Sequence, residues 1–350
     1  MPPAFKRKVG MKGVVEWAKK WGADVVIGQF EPDDNVSLFE KNGIIAIAQD
    51  YKKKFDTIPN ITADYLTTGR MAAELFLDKG FRNFAFFGYK DVCWSDDRCE
   101  GFFSRVEEAG FSGNFYSYTL QEIDELWYYD AKKLQDWIIS LPKPIAIMAC
   151  DDNQGSMLID ACNAVGVSIP SEVSLIGVDN DEVICNLSNP TLSSIFVDIE
   201  KGGYETAIMA EKMIADRSFR GSDIVLHPQK IVNRMSTSVY ATDDKEILLA
   251  LQYIHSNIER KISVKDLLTE IPLSRRLLEI RFKKITGESI YQYISRVRVE
   301  HFAELLLSSN DSVVDIAYSM GENDSKSISR RFKSLMGCTP NDWRNKNFAN

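Results

Sequence analysis

Two stretches of this 350-residue chain, ISVKDLLTEIPLSRRLLEIRFKKITG (262–287) and DSVVDIAYSMGENDSKSISRRFKSLMG (311–337), follow one scheme. Each runs S-V-x-D, a short apolar segment, a turn, a second segment opening at a serine, then R-F-K and a closing glycine. An internal repeat of this length is one supersecondary unit written twice, and its outline is helix-turn-helix. At 3.6 residues per turn Leu278, Phe282 and Ile285 share one face of the first copy, and Ile328, Phe332 and Leu335 share one face of the second. Those stripes are expected to be core. The opposite faces carry Arg275, Arg276, Glu279 and Lys283, and then Lys326, Ser329, Arg330 and Lys333. One such run is most often a solvated helix face. Two at equivalent positions favour contact with nucleic acid, because long cationic and small polar side chains reach phosphates and base edges.

Outward from the repeat the chain has two characters. From about Thr242 helix follows helix, broken at Pro272, Gly287, Asn310–Asp311, Gly321 and Pro340, with Ser274 and Ser312 placed as N-caps. From Trp21 to about Val239 short apolar runs alternate with amphipathic ones. The strand candidates are 22–30, 43–50, 82–90, 114–120, 144–152 and 172–181, and helical segments such as TTGRMAAELFLDKG and NQGSMLIDACNAVG lie between them. Strands apolar on both faces, alternating with helices, predict doubly wound parallel sheets covered on both sides. The boundaries expected are an α/β domain over 1–240, a short polar junction ATDDK at 241–245, and an all-α domain over 246–350.

Composition excludes several classes. No apolar run approaches the roughly 20 residues of a membrane span, and MPPAFKRKVG lacks the apolar segment of a secretory signal, so a cytoplasmic protein is expected and an exported binding protein is not. Six scattered cysteines without a CxxC pair read as reduced core residues, and no metal site is expected. With His227, His255 and His301 outside any nucleophile motif, a hydrolytic triad has little support. Residues 241–350 hold 17 Lys+Arg against 15 Asp+Glu, whereas residues 1–240 hold 25 against 35. The acidity of the chain, net −8, thus belongs to its first part.

In a doubly wound sheet ligands bind beyond the carboxyl ends of the strands. Here PIAIMAC runs into Asp151–Asp152, SLIGVD into Asp179–Asn180–Asp181, and RNFAFFGYK into a loop with Trp94 and Arg98. Carboxylates, an amide and a guanidinium around an aromatic face suit a polyhydroxylated ligand. Trp94 alone would more often be packing and Asp181 a helix cap. The aspartates could also hold Mg²⁺ in an enzyme acting on a sugar or sugar phosphate, but no glycine-lysine phosphate loop accompanies them.

With these motifs in place, residues 246–346 resemble the AraC family of transcription regulators. The match covers both repeat copies, the connecting RVRVEHFAELLL, and the closing G-x-T-P-x-x-W-R from Gly337 to Arg344. That resemblance implies binding to double-stranded DNA, with Arg276, Glu279 and Ile280 facing bases from the first unit and Ser325, Lys326, Ser329 and Arg330 from the second. Two departures stand out. Glu322 occupies a turn position that the family keeps apolar, predicting a locally loosened second unit. Ile280 replaces what is often a polar base-reading residue.

The first part looks like the core of LacI-type repressors, itself similar to periplasmic sugar-binding proteins. The matching motifs are ITADYLTTGRMAAELF, W-x-x-x-R-x-x-G-F (94–102), ACDDNQG, SLIGVDND and TLSSIFVD. By position the resemblance makes Asp64, Arg98, Asp151 and Asp179 sugar contacts, with Asn180 and Trp94 supporting them. A LacI-like core joined to an AraC-like end is the arrangement of xylose operon regulators. It implies no cofactor, a sugar effector (D-xylose), a homodimer, contact with RNA polymerase, and a xylose-dependent activator. Relative to that pattern the first strand-helix-strand unit is missing before MKGVVEWAKKWGADVV. The expectation is an incomplete first lobe with an exposed apolar edge and weakened sugar affinity.

Overall fold

The computed structural model describes residues 3–348 apart from 124, 125, 128, 240, 243, 310 and 323. The chain runs α1 (Pro3–Lys20), β1 (Val25–Gly28), α2 (Ser37–Lys41), β2 (Ile45–Gln49), β3 (Asn60–Ala63), α3 (Tyr65–Asp78), β4 (Phe84–Tyr89), α4 (Cys93–Glu108) and β5 (Phe115–Leu120). It continues through the short pair β6 (Glu122–Ile123) and β7 (Leu126–Trp127), then α5 (Ala131–Ser140), β8 (Ile145–Ala149), α6 (Asp152–Ala164), β9 (Val173–Val178), α7 (Glu182–Leu187), β10 (Ser193–Val197), α8 (Ile199–Ala215), β11 (Ile224–Leu226) and β12 (Pro228–Val232). Two sheets result, ordered β1-β2-β3-β11 and β12-β10-β9-β8-β4-β5. Pairing is parallel throughout except that β12 lies antiparallel to β10. The chain leaves the first sheet after β3, returns to it at β11 and crosses back at once to β12. The sheets are therefore the cores of two lobes that share a cleft.

The six expected strands are found, trimmed at their ends except at Leu120, where β5 stops as expected. Missed as strands were β3, β6, β7, β10, β11 and β12, which are two to five residues long and too short to show a period against their flanks. The central strands of the second sheet are buried on both faces, as their unbroken apolar runs require: β8 and β9 are buried at every position. β1 is an edge of the first sheet, and its Ile27, 51% exposed, projects from the sheet face into the space between the lobes.

Two glycines set how α3 meets α4 in the second lobe. An added Cβ at Gly69 of α3 would lie 2.1 Å from the Arg98 carbonyl oxygen, and one at Gly101 of α4 would lie 2.1 Å from the Leu66 carbonyl oxygen. α3 and α4 thus touch backbone to backbone, which brings Tyr65 at the start of α3 against Arg98. Gly101→Ala must push these backbones apart, and a loss of about 1–3 kcal/mol in urea unfolding is expected.

The remaining helices are α9 (Lys245–Ser256), α10 (Val264–Glu270), α11 (Arg275–Thr286), α12 (Ile290–Ser308), α13 (Val313–Ser319), α14 (Ser325–Met336) and α15 (Pro340–Phe348). The repeated S-V-x-D is a capping device. Asp266 accepts from both the Ser263 amide and hydroxyl, and Ser312 pairs reciprocally with Asp315. The closing glycines Gly287 and Gly337 sit at φ 76° as left-handed caps of α11 and α14. α12 serves two cores. Ile290, Tyr293, Ile294 and Val297 pack with α9 to α11, while Val299, Phe302, Ala303 and Leu306 pack with α13 and α14. Its apolar residues consequently do not keep to one stripe.

The stripes are corrected at one position. Leu278, Phe282, Ile328 and Phe332 are fully buried and Ile285 packs beside them, but Leu335 is half exposed and lines a groove with Tyr291. Met336 fills the core in its place, since the helix ends one residue later and its last turn rotates off the stripe.

Candidate functional sites: an interlobe cleft and paired helix-turn-helix faces

A cleft of about 460 Å³ opens between the lobes. From the first lobe Gln29, Gln49, Asp50 and Thr62 line it. From the second come Trp94, Arg98, Asp151 and Asp179, with Tyr65 and Thr206 on the crossover helices. The carboxyl-end rule therefore brings Trp94, Arg98, Asp151 and Asp179 together as expected.

Arg98 is the organising group. Its guanidinium lies 5.2 Å from the centre of the Tyr65 ring and 5.3 Å from that of Trp94, and Trp94 in turn meets Tyr89 edge-on. One Nη donates to the Cys150 carbonyl oxygen at 2.5 Å and the other to Asp179 Oδ1 at 3.2 Å. Its Nε is buried without a partner among the described residues, and so is Oδ2 of Asp50. The other oxygen of Asp50 accepts from the Tyr65 hydroxyl at 2.9 Å. Burial pushes the Asp50 carboxyl above the ordinary aspartate range, and it pushes Asp151 the same way, with the Asp179 charge adding to the effect. Unsatisfied buried groups of both signs beside two aromatic rings form a site for a neutral, hydroxyl-rich ligand, whose OH groups both donate and accept.

Two expected contacts fall elsewhere. Asp64 does not line the cleft. It caps α3, accepting from the Thr67 amide at 3.0 Å, and pairs with His227 at 3.4 Å. Partial burial would raise its carboxyl, but Thr67 and His227 outweigh that and hold it below the usual range. Asn180 also lies behind the cleft wall, its Oδ1 accepting from Arg234 at 3.0 Å. Asp181 caps α7, and Asp152 is buried, its oxygens accepting from the Ser194 hydroxyl and the Asp181 amide. Burial lifts Asp152 to about 7. Asp50, Tyr65 and Gln49 were missed, although Asp50 ends the strand run GIIAIAQD as Asp151 ends PIAIMAC.

In the helical part Arg275, Arg276, Ile280, Lys283, Lys326, Arg330 and Lys333 are exposed, and Glu279, Ser325 and Ser329 partly so. Arg275 approaches Glu279 at 3.8 Å. Arg330 Nε donates to the Lys326 carbonyl oxygen at 3.3 Å. The expected faces are thus presented together on α11 and α14.

Glu322 is corrected. It is buried, but it is not unpaired: Arg298 reaches Oε1 at 2.9 Å and Arg331 at 2.6 Å. Burial alone would raise its carboxyl, and the two guanidinium groups hold it below the ordinary value instead. Arg298 itself, 2% exposed, also donates to the carbonyl oxygens of Ile258, Arg260 and Met320. The second unit is locked rather than loosened.

Comparison with known proteins joins the two parts. Residues 73–237 match a periplasmic binding protein-like domain and residues 267–346 a helix-turn-helix domain. The chain is 26% identical to the xylose operon regulatory protein of Escherichia coli K12, across 95% of this chain and 86% of that one. It is 27% identical to its counterpart in Haemophilus influenzae, across 92% and 84%. The chain is a sugar-responsive, DNA-binding transcription regulator, similar to these proteins along nearly its whole length. The regulator also shares its fold with the solved xylose-binding transcription activator xylR, at a TM-score of 0.66 over 98% of this chain and 95% of that one, with 24% identity. A sugar-responsive DNA-binding regulator, and not an enzyme, is what relatives and domains support. The described residues include no cluster suited to a metal ion and no helix long and apolar enough to cross a membrane.

Proposed function

We propose that the regulator is a cytoplasmic homodimer that senses D-xylose in the interlobe cleft and activates a xylose-utilisation operon through contact with RNA polymerase. The observation that carries the sugar assignment is the Arg98 guanidinium against the Tyr65 and Trp94 rings, with the carboxylates of Asp50, Asp151 and Asp179 lining the same cleft. The pentose is supported by the relatives, which are regulators of xylose operons and a xylose-binding activator. Ile27 lines the cleft from the edge strand of the first lobe, and weak affinity is part of the proposal. Calorimetric titration of the full chain with D-xylose, L-arabinose and D-ribose tests this. Saturable binding of D-xylose alone is expected, at a Kd on the order of 0.1–1 mM. Low-micromolar binding would overturn the weakened lobe, and preference for another sugar would overturn the effector.

DNA contact is assigned to Arg275, Arg276, Glu279, Ile280 and Lys283 of α11 and to Ser325, Lys326, Ser329, Arg330 and Lys333 of α14. The supporting observation is their presentation on equivalent exposed faces of two capped units. Arg330→Ala is expected to cost about 1–3 kcal/mol on the preferred operator and to relax selection at one base pair. An unchanged footprint and affinity would displace Arg330 from the interface.

A further inference from the structure

The residues that end β9 hold a backbone conformation that side chains disfavour. Asp179 has φ 96° and Asn180 φ 54°, both left-handed. Consecutive non-glycine residues persist there only when their surroundings over-determine them. Two arginines supply that restraint from opposite sides. Arg98 holds the Asp179 carboxylate from the cleft, and Arg234 holds Asn180 from behind it.

Arg234 is fixed at several points. Its Nη1 also donates to the Leu192 carbonyl oxygen at 3.0 Å, and its Nε to Asn186 Oδ1 at 3.1 Å. Its backbone amide donates to Ser193 Oγ at 2.7 Å. The residues after it bind the second lobe and then enter the DNA-binding domain. Ser236 Oγ donates to the Leu175 carbonyl oxygen at 2.6 Å, the Ser238 carbonyl oxygen accepts from the Tyr293 hydroxyl at 2.6 Å, and Val239 is buried in the core of α9 to α12. His255 of α9 meets both Tyr293 and Ser238 at this joint. Beside the joint lies a cavity of about 310 Å³, lined by Lys79, Arg234, Thr237, Ser238, Arg296 and Glu300. A close-packed joint would resist rearrangement, and this one leaves room for it.

We propose that Arg234 is the positioning residue that passes the state of the sugar cleft to the DNA-binding domain, through Asn180 on one side and the 235–239 segment on Tyr293 on the other. This rests on the cleft being the sugar site. A ligand that alters the Arg98–Asp179 pair changes the restraint on Asp179, the next residue feels it, and Arg234 shares that residue with the joint. Such a strained pair with two restraints is a two-state element that both ends bias.

The test uses the full chain and hydrogen exchange at residues 290–297, with Asp179→Asn to release the cleft side and Asn180→Ala to remove the acceptor of Arg234. Arg234→Ala is the harsher second variant, and Arg234→Lys, which cannot reproduce the forked contacts, is expected to behave like it. Asp179→Asn is expected to speed exchange at 290–297 about threefold or more in the otherwise native chain, but to add nothing in an Asn180→Ala or Arg234→Ala background. Equal, additive increments would overturn the relay. A second arm measures DNA affinity by anisotropy with and without D-xylose. The ratio of the two affinities is expected to fall towards one in Asn180→Ala, while calorimetric sugar affinity stays within about threefold, because coupling and binding are separate quantities. A native ratio in Asn180→Ala also overturns the relay. If the native chain itself shows no D-xylose effect, the effector assignment fails, and the exchange measurements, which need no sugar, still decide the relay.

Discussion

Arg298→Ala is expected to melt the DNA-binding half of the chain well before the sugar-sensing half, at a cost of about 3–5 kcal/mol. The substitution takes from the buried Glu322 carboxylate one of its two guanidinium partners, leaving it to Arg331 alone, and leaves the carbonyl oxygens of Ile258, Arg260 and Met320 without this donor. The Ile258 and Arg260 carbonyls precede the first helix-turn-helix unit, while Met320 and Glu322 form the turn of the second, so one side chain fixes the spacing of both. Differential scanning calorimetry should show two separated transitions where the native chain has closer ones. Glu322→Leu should cost less, since Arg298 keeps its carbonyl acceptors and Arg331, only partly buried, can turn to water. Equal losses in the two variants would mean that the pair matters only as packing.

The same group gives a pH dependence of definite sign. The Glu322 carboxyl is held below its ordinary value in the folded chain, so its contribution is complete above about pH 4.5 and is lost as pH falls through the lower folded value. Glu322→Gln should flatten that acid limb of a stability-against-pH curve and leave the neutral region parallel to the native one.

Arg98→Ala is expected to abolish saturable sugar binding, a loss of about 100-fold or more, equivalent to ~2.7 kcal/mol. The guanidinium is buried, it lies over the Tyr65 and Trp94 rings, and it bridges Cys150 to Asp179, so its removal empties that corner of the cleft and releases the clamp on the Asp179 loop together. Arg98→Lys should not restore binding, because an ammonium cannot span two acceptors and stack between rings. Calorimetry on the folded variant, checked by circular dichroism, decides this. Binding within tenfold of native would move the ligand out of the Arg98 corner.

Sequence alone determined the two architectures and much of the chemistry. The S-V-x-D repeats were legible because capping is local, each serine meeting a carboxylate three residues on. The alternation of apolar strands with amphipathic helices was legible because burial of a parallel sheet on both faces leaves unbroken apolar runs. Trp94, Arg98, Asp151 and Asp179 could be found because polar groups collect where strands end. What the tertiary structure alone decided are the pairings between residues far apart in the chain. Asp50 joined the cleft lining only when the fold brought the start of α3, with Tyr65, against it. Asp64 and Asn180 left the cleft because Thr67 and Arg234 hold them elsewhere. Glu322 reads as a defect beside its sequence neighbours, yet it is a paired group once α12 and α14 bring Arg298 and Arg331 to it. The cost of burying a charge depends on partners that only the folded chain supplies, whereas caps, turns and periodic burial are settled within a few residues.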